Sequence, residues 1–279
     1  MKVYISVDLE GIACVMQTNE QVSDYQAARK WMTAEANAAI EAAYAHGASE
    51  VVVSDSHGSM ANLLPDELHE DALLVRGKPR PLCMMEGLDE TFDAVLLVGY
   101  HAMSGTARGN MAHTYSGVIY ALRLNGMLVG ESGFNAAIAG HFGVPVALVC
   151  GDDTLAAEVS TQLPWAERVI TKWAISPWAA RNLTPKASQG CIRAGAARAL
   201  DRLEEMKPFV VETPVRLVPR RYLPASWGLL GSCPTLRLDW SSSVRLEGSP
   251  SCGRAVKARC QSVGCSFRPK GPNTSILPT

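Results

Sequence analysis

Lys2-Val3-Tyr4-Ile5-Ser6-Val7-Asp8-Leu9-Glu10-Gly11 opens with a β-rich run and then sets two carboxylates one residue apart. Val, Ile and Tyr favour extended backbone, so Lys2–Val7 is predicted as a strand with Asp8 and Glu10 at its carboxyl end. Three later stretches repeat the arrangement. Glu50–Ser54, with Val51, Val52 and Val53, precedes Asp55 and His57; Ala94–Gly99 precedes His101; Val144–Cys150 precedes Asp152 and Asp153. Continuous apolar runs of this kind fit strands covered on both faces.

The intervening stretches read as helices and one hairpin. Asp24–His46 is alanine-rich with helical spacing, and Gly47 follows as a helix terminator. Ile119–Val129 carries Asn125-Gly126 at its centre, the strongest short hairpin signal. Ser132–His141 and Thr154–Leu163 are predicted helices, and Thr184-Pro185 is an N-cap and first-turn proline opening a helix to about Met206. The alternation predicts an α/β chain: a layered αβα domain with a largely parallel sheet and an inserted β-hairpin.

Bulk properties narrow the function. The 279 residues are 47% hydrophobic with a net charge of −1, so neither a nucleic-acid nor a membrane partner is expected. No stretch approaches the roughly 18 consecutive apolar residues of a membrane span. The first apolar run stops at Asp8, too early for a secretory signal, and a cytoplasmic location is the expectation. Cys14, Cys83, Cys150 and Cys191 are scattered and read as buried thiols. No Cys-x-x-Cys pair occurs, which argues against a zinc ribbon or redox motif, and a disulfide framework is not expected.

Residues 218–279 differ in kind from 1–217. Pro219–Thr279 holds nine Lys/Arg against Asp239 and Glu247, with ten serines, seven prolines and four cysteines. The other 218 residues carry 17 Lys/Arg and 25 Asp/Glu, so a basic end masks an acidic body. Beyond a strand-like Thr235–Leu238 the end shows little periodicity, and most of it is expected to be disordered or loosely attached. Arg, Pro, Ser and Cys in this mixture also fit a shifted reading frame of GC-rich coding sequence.

The chemistry lies at the strand ends. In open α/β sheets, ligands bind outside the carboxyl ends of the strands, and four consecutive strands deliver acids or imidazoles there. Glu131 follows the hairpin, just before a helix. Side chains at i and i+2 of extended backbone point the same way, so Asp8 and Glu10 can address one ion, as can Asp55 and His57. Carboxylate and imidazole together suit zinc or a similar divalent metal. Two carboxylates and two histidines make one site, and a third carboxylate leaves enough for two metals sharing an acid. Each residue has a bland alternative. An Asp after a strand often caps a helix, which is the favoured reading of Asp152 and Asp153. A lone histidine is usually structural, and Asp55 fits an acid that orients a histidine.

Six blocks carry a resemblance: Ser6–Ile12, Asp55–Leu63, Met85–Asp89, Gly99–Met103, Met111–Thr114 and Val129–Ala136. In order and spacing, from Met1 to about Leu217, they resemble the zinc-dependent D-aminopeptidases, the M55 metallopeptidases. The resemblance implies metal ligands at Asp8, Glu10, His57, His101 and Glu131, with two zinc ions per chain bridged by Asp8. Glu10 and His57 would complete one ion, His101 and Glu131 the other. It implies a catalytic role for His113, which strand-end reasoning alone does not select. On its own, His113 is a histidine following the glycine-punctuated loop Gly105–Gly109. The implied activity is hydrolysis of the N-terminal peptide bond of short peptides beginning with D-residues, by a homo-oligomeric ring. The residues alone also fit another di-metal amide or phosphoester hydrolase, or an inactive subunit with a disrupted C-terminus.

Overall fold

The computed structural model describes residues 1–18, 24–221, 235–239 and 243–247. In chain order the elements are β1 (Lys2–Val7), α1 (Tyr25–Ala45), β2 (Glu50–Asp55), β3 (Leu73–Val75), β4 (Ala94–Tyr100), β5 (Ile119–Leu124) and β6 (Met127–Val129). There follow α2 (Glu131–His141), β7 (Val146–Asp152), α3 (Asp153–Gln162), β8 (Glu167–Ser176), β9 (Ala179–Asn182), α4 (Pro185–Asp201), β10 (Val215–Arg221), β11 (Thr235–Asp239) and β12 (Ser243–Glu247).

Among the described residues, seven strands form one sheet in the order β3-β2-β1-β4-β7-β8-β9, parallel throughout except for the antiparallel edge strand β9. Every residue of β4 and β7 is buried, as the unbroken apolar runs require. Alternation along β1 separates two cores. Val3, Ile5 and Val7 pack with Met32, Ala36 and Ile40 of α1 and Ile192 and Ala196 of α4. Tyr4, with Val95 and Leu97 of β4, packs on the other face with Ala136, Ile138, Leu155 and Val159 of α2 and α3. This is the expected αβα layering. Among the described residues no helix is long and apolar enough to cross a membrane.

The inserted hairpin is β5–β6, turning at Asn125-Gly126, and it belongs to a second, antiparallel sheet ordered β12-β11-β10-β5-β6. β10 pairs along β5 from Leu217↔Leu124 to Arg221↔Ile119, closing a small core of Leu122, Leu124, Val129, Val215 and Leu217. β11 includes the expected strand Thr235–Leu238 and pairs with β10 and β12. The end of β10 and all of β12 also fall in the segment expected to be disordered and are paired strands instead; its other residues, with Cys233, Cys252, Cys260 and Cys265, lie outside the described residues.

Several local expectations shift. β7, expected to start at Val144, begins at Val146, because Pro145 has no N–H for the ladder. The last helix ends at Asp201, and a short 3₁₀ turn carries the chain through Glu205. Thr184 occupies the N-cap position but its side chain makes no capping bond. Of the four cysteines expected to be buried, only Cys150 is; Cys14 and Cys83 are half-buried and Cys191 is exposed on α4.

Two ionisable side chains are buried behind the turn that follows β1. Lys172 of β8 is fully buried and donates to the carbonyls of Glu10 and Val15. Glu35 of α1 accepts from Ala13 N at 3.0 Å and Ser188 Oγ at 2.7 Å, while its Oε2 has no partner. Burial pushes the Glu35 carboxyl up from 4.5 to about 7, against the pull of Ser188, Ala13 and Lys172. A pKa raised on folding gives stability that is whole below the unfolded value and lost as pH rises through the folded one. The window therefore runs from 4.5 to about 7. Urea unfolding of wild type and Glu35→Gln at pH 5 and pH 8 should show wild type losing about 2–3 kcal/mol relative to the variant. A difference independent of pH would contradict a neutral, buried Glu35.

Candidate metal centre

Register decides which side chains meet. Val7 lies opposite both Asp55 of β2 and Val98 of β4, so β1 and β2 end level while β4 runs two residues further, to Tyr100. The connection from β1 to β2 carries α1 on one face of the sheet. The connection from β4 to β7 runs the other way and carries α2 on the opposite face. The β1–β4 junction is therefore a switch point, where a parallel sheet opens a crevice. The turn after β1 lies directly on the end of β4, with Gly11 N donating to Gly99 O at 2.7 Å. A Cβ at Gly11 would overlap the Tyr100 carbonyl oxygen, and one at Gly99, whose φ is +72°, the carbonyl of Asp8.

All six residues singled out in the sequence meet in this crevice. Asp8, Glu10, His101 and Glu131 are buried. Asp8 divides its oxygens: Oδ1 is 3.4 Å from His57 Nδ1, and Oδ2 is 3.4 Å from His101 Nε2. Glu10 Oε2 is 2.9 Å from His57 Nδ1, and Glu131 Oε1 is 3.4 Å from His101 Nε2. His113 Nε2 faces Glu131 Oε1 at 3.6 Å and Glu10 Oε1 at 3.8 Å. Its ring stacks on that of His101, centroids 4.2 Å apart. Three triads bring ligand atoms within 4.8 Å of one another: Asp8–Glu10–His57, Asp8–His101–Glu131 and Glu10–His101–His113.

The electrostatics favour a cation. Burial and the neighbouring Glu10 push Asp8 up. Burial would also raise Glu10, but His57, then His101 and His113, hold it well below the usual carboxylate range. Glu131 is lowered too, burial being outweighed by His101. Burial acts to depress His57 and His101, yet Glu10 and Glu131 respectively hold them well above the usual imidazole range. Three acids gathered out of water demand compensating positive charge.

Atomic pairing points to a metal. His101 Nδ1 lies 3.0 Å from the Ala102 carbonyl, a contact it makes as donor, which leaves Nε2 as a lone pair. That Nε2 and Asp8 Oδ2 are both buried without a hydrogen-bond partner, and they face each other. Without metal a proton on His101 stands between them, in keeping with its raised pKa; a cation shared by the neutral imidazole and the carboxylate takes that proton's place, and nitrogen and carboxylate donors suit zinc.

Other residues hold the ligands in place. Asp55 does not act on the His57 ring. It accepts from Asn62 N, Asn62 Nδ2 and Leu63 N, and Asn62 Nδ2 donates in turn to the His57 carbonyl at 2.7 Å. Asp152 caps α3 through Leu155 N and also accepts from Asn110 N, steadying the loop that carries His113. Tyr115 N donates to Glu131 Oε1 at 2.7 Å. Under the site, Ser6 Oγ lies 2.6 Å from the Tyr100 hydroxyl, to which Asn135 Nδ2 donates at 2.8 Å. Asn62, Tyr115 and Asn135 escaped the sequence reading, although two of them sit inside the matched blocks.

The family model described as D-aminopeptidase, peptidase family M55, matches residues 1–230. The D-aminopeptidase of Bacillus subtilis (strain 168) is 38% identical over 212 residues, covering 75% of this chain and 77% of the relative. The solved structure described as the Zn-dependent D-aminopeptidase DppA from Bacillus subtilis, a self-compartmentalizing protease, aligns with a TM-score of 0.78 at 36% identity. It covers 80% of this chain and 82% of that one. The chain belongs to the M55 family of zinc-dependent D-aminopeptidases.

Proposed function

We propose that this chain is a di-zinc aminopeptidase that hydrolyses the N-terminal peptide bond of short peptides, preferentially those beginning with a D-residue. The observation that carries the two-ion reading is the divided Asp8 carboxylate, one oxygen toward His57 and the other toward His101. Asp8 would bridge, Glu10 and His57 would complete one ion, and His101 and Glu131 the other. Zinc bound there supplies Lewis acidity toward a peptide carbonyl. His113 is the proposed proton carrier. Its Nδ1 lies 2.9 Å from the Met111 carbonyl, so Nε2 is the atom free to take and return a proton. It is less buried than His57 or His101, as a group meeting substrate should be. Hydrolysis requires that a water lose a proton as its oxygen bonds to the carbonyl carbon. The departing amine nitrogen must gain one as the C–N bond breaks, and His113 Nε2 can carry it.

The assignment places catalysis in residues 1–217 and gives no role to 218–279. Homo-oligomeric assembly is supported by the relative described as a self-compartmentalizing protease. The test is a panel of zinc-loaded reactions comparing dipeptides that differ only in N-terminal configuration, together with simple amides and phosphomonoesters. The D-first dipeptide should exceed its L counterpart in kcat/KM by about tenfold or more. Faster turnover of phosphomonoesters, or no stereochemical preference, would overturn the substrate assignment.

A further inference from the structure

Glu158 projects from α3 toward the metal centre without belonging to it. Its Oε2 accepts from Met103 N at 2.9 Å, two residues beyond His101. The same carboxylate lies against Gly130, one residue before Glu131, and its Oε1 is 3.5 Å from Ser132 Oγ, one residue after. The fit is close: a Cβ at Gly130 would stand 2.7 Å from Glu158 Oε1. One side chain thus ties together the loop after β4 and the start of α2, which also pack on each other directly at Met103 and Gly130. Those two segments carry His101 and Glu131, whose ligand atoms face each other at 3.4 Å.

We propose that Glu158 is a positioning residue for one of the two metals: it fixes the His101 and Glu131 backbones in a common frame, so that their donors converge on the same ion. The proposal rests on the two-ion reading. Glu158 bonds no part of the Glu10–His57 pair, which is held instead through Asp55, Asn62 and Lys172. Its effect is therefore confined to one ion. Groups that orient metal ligands typically contribute 10–100-fold in metal affinity, and that is the scale expected here.

The experiment titrates zinc-free protein with zinc against a competing chelator and resolves two affinities. Glu158→Leu should weaken one zinc by about 10–100-fold and leave the other unchanged. Glu158→Gln, which keeps one acceptor oxygen, should fall between. In a His101→Ala background, Glu158→Leu should cost nothing further; in a His57→Ala background it should weaken the remaining ion. Hydrogen exchange of the Met103 amide in zinc-free protein should accelerate in the leucine variant and less in the glutamine variant. Should the leucine variant not fold, the glutamine variant decides on the same readouts. Unchanged affinity for both ions, or equal weakening of both, overturns the proposal while the two-ion reading stands. If His101→Ala itself keeps both ions, His101 is no ligand and this proposal falls with that assignment; if the wild-type protein takes up only one zinc, the two-ion reading falls instead.

Discussion

With His101 replaced by alanine, the zinc-reconstituted protein should hold about one ion per chain rather than two, and its peptidase activity should fall by about 10³-fold. The buried His101 Nε2 has no hydrogen-bond partner and faces both Asp8 Oδ2 and Glu131 Oε1 at 3.4 Å. Alanine removes the nitrogen donor and leaves two buried carboxylates facing a gap. Glu10, His57 and Asp8 Oδ1 remain as a set for the other ion. A metal acting as Lewis acid is worth several kcal/mol of transition-state stabilisation, and about 4 kcal/mol corresponds to roughly 10³-fold in rate. Zinc analysis of the purified variant is the decisive measurement. Retention of both ions removes His101 from the ligand set.

His113→Ala should act differently. The proposed ligands do not include this ring, so zinc content should stay near the wild-type value while kcat drops by about 10²-fold or more, the scale of a lost proton-transfer group. The competing outcome is concrete, because Glu10, His101 and His113 also converge within 4.8 Å. If the variant loses zinc and activity per bound ion is unchanged, His113 is a ligand and not the proton carrier. KM should move less than kcat, since the proton is needed chiefly as bonds change.

The centre was legible in the sequence because its geometry follows from strand ends. Asp8, Glu10, His57 and His101 each fall within a few residues of an unbroken apolar run, and parallel register brings such ends together. Glu131 was legible for a related reason, lying between a hairpin and a helix. His113 was not, because its place depends on the loop after β4, held by Asp152 through Asn110 and by the Met111–Pro177 backbone bond. No period in a sequence announces such bonds. The same blindness covers β8 and β9. β8 opens with Glu167 and Arg168 and carries Lys172 in its middle, so it reads as polar although Lys172 is fully buried. Glu158 was equally silent, since a glutamate in a helix ordinarily reads as a solvated face. β3, three residues long, was too short to register.

The contact between Gly11 and Gly99 has a genetic consequence. Every missense change at a glycine codon adds a side chain, so neither position has a conservative neighbour in the code. Even alanine at Gly11 must displace the Tyr100 carbonyl, and alanine at Gly99 must displace that of Asp8 while holding a backbone angle that costs it energy. Replacing one acid or histidine of the centre costs metal while the strands around it can keep their spacing. These two glycines admit no such replacement, because they set how far the first strand's turn stands from the fourth strand. A random-mutagenesis library selected for folded, soluble protein should therefore recover substitutions at the ligands themselves sooner than at Gly11 or Gly99.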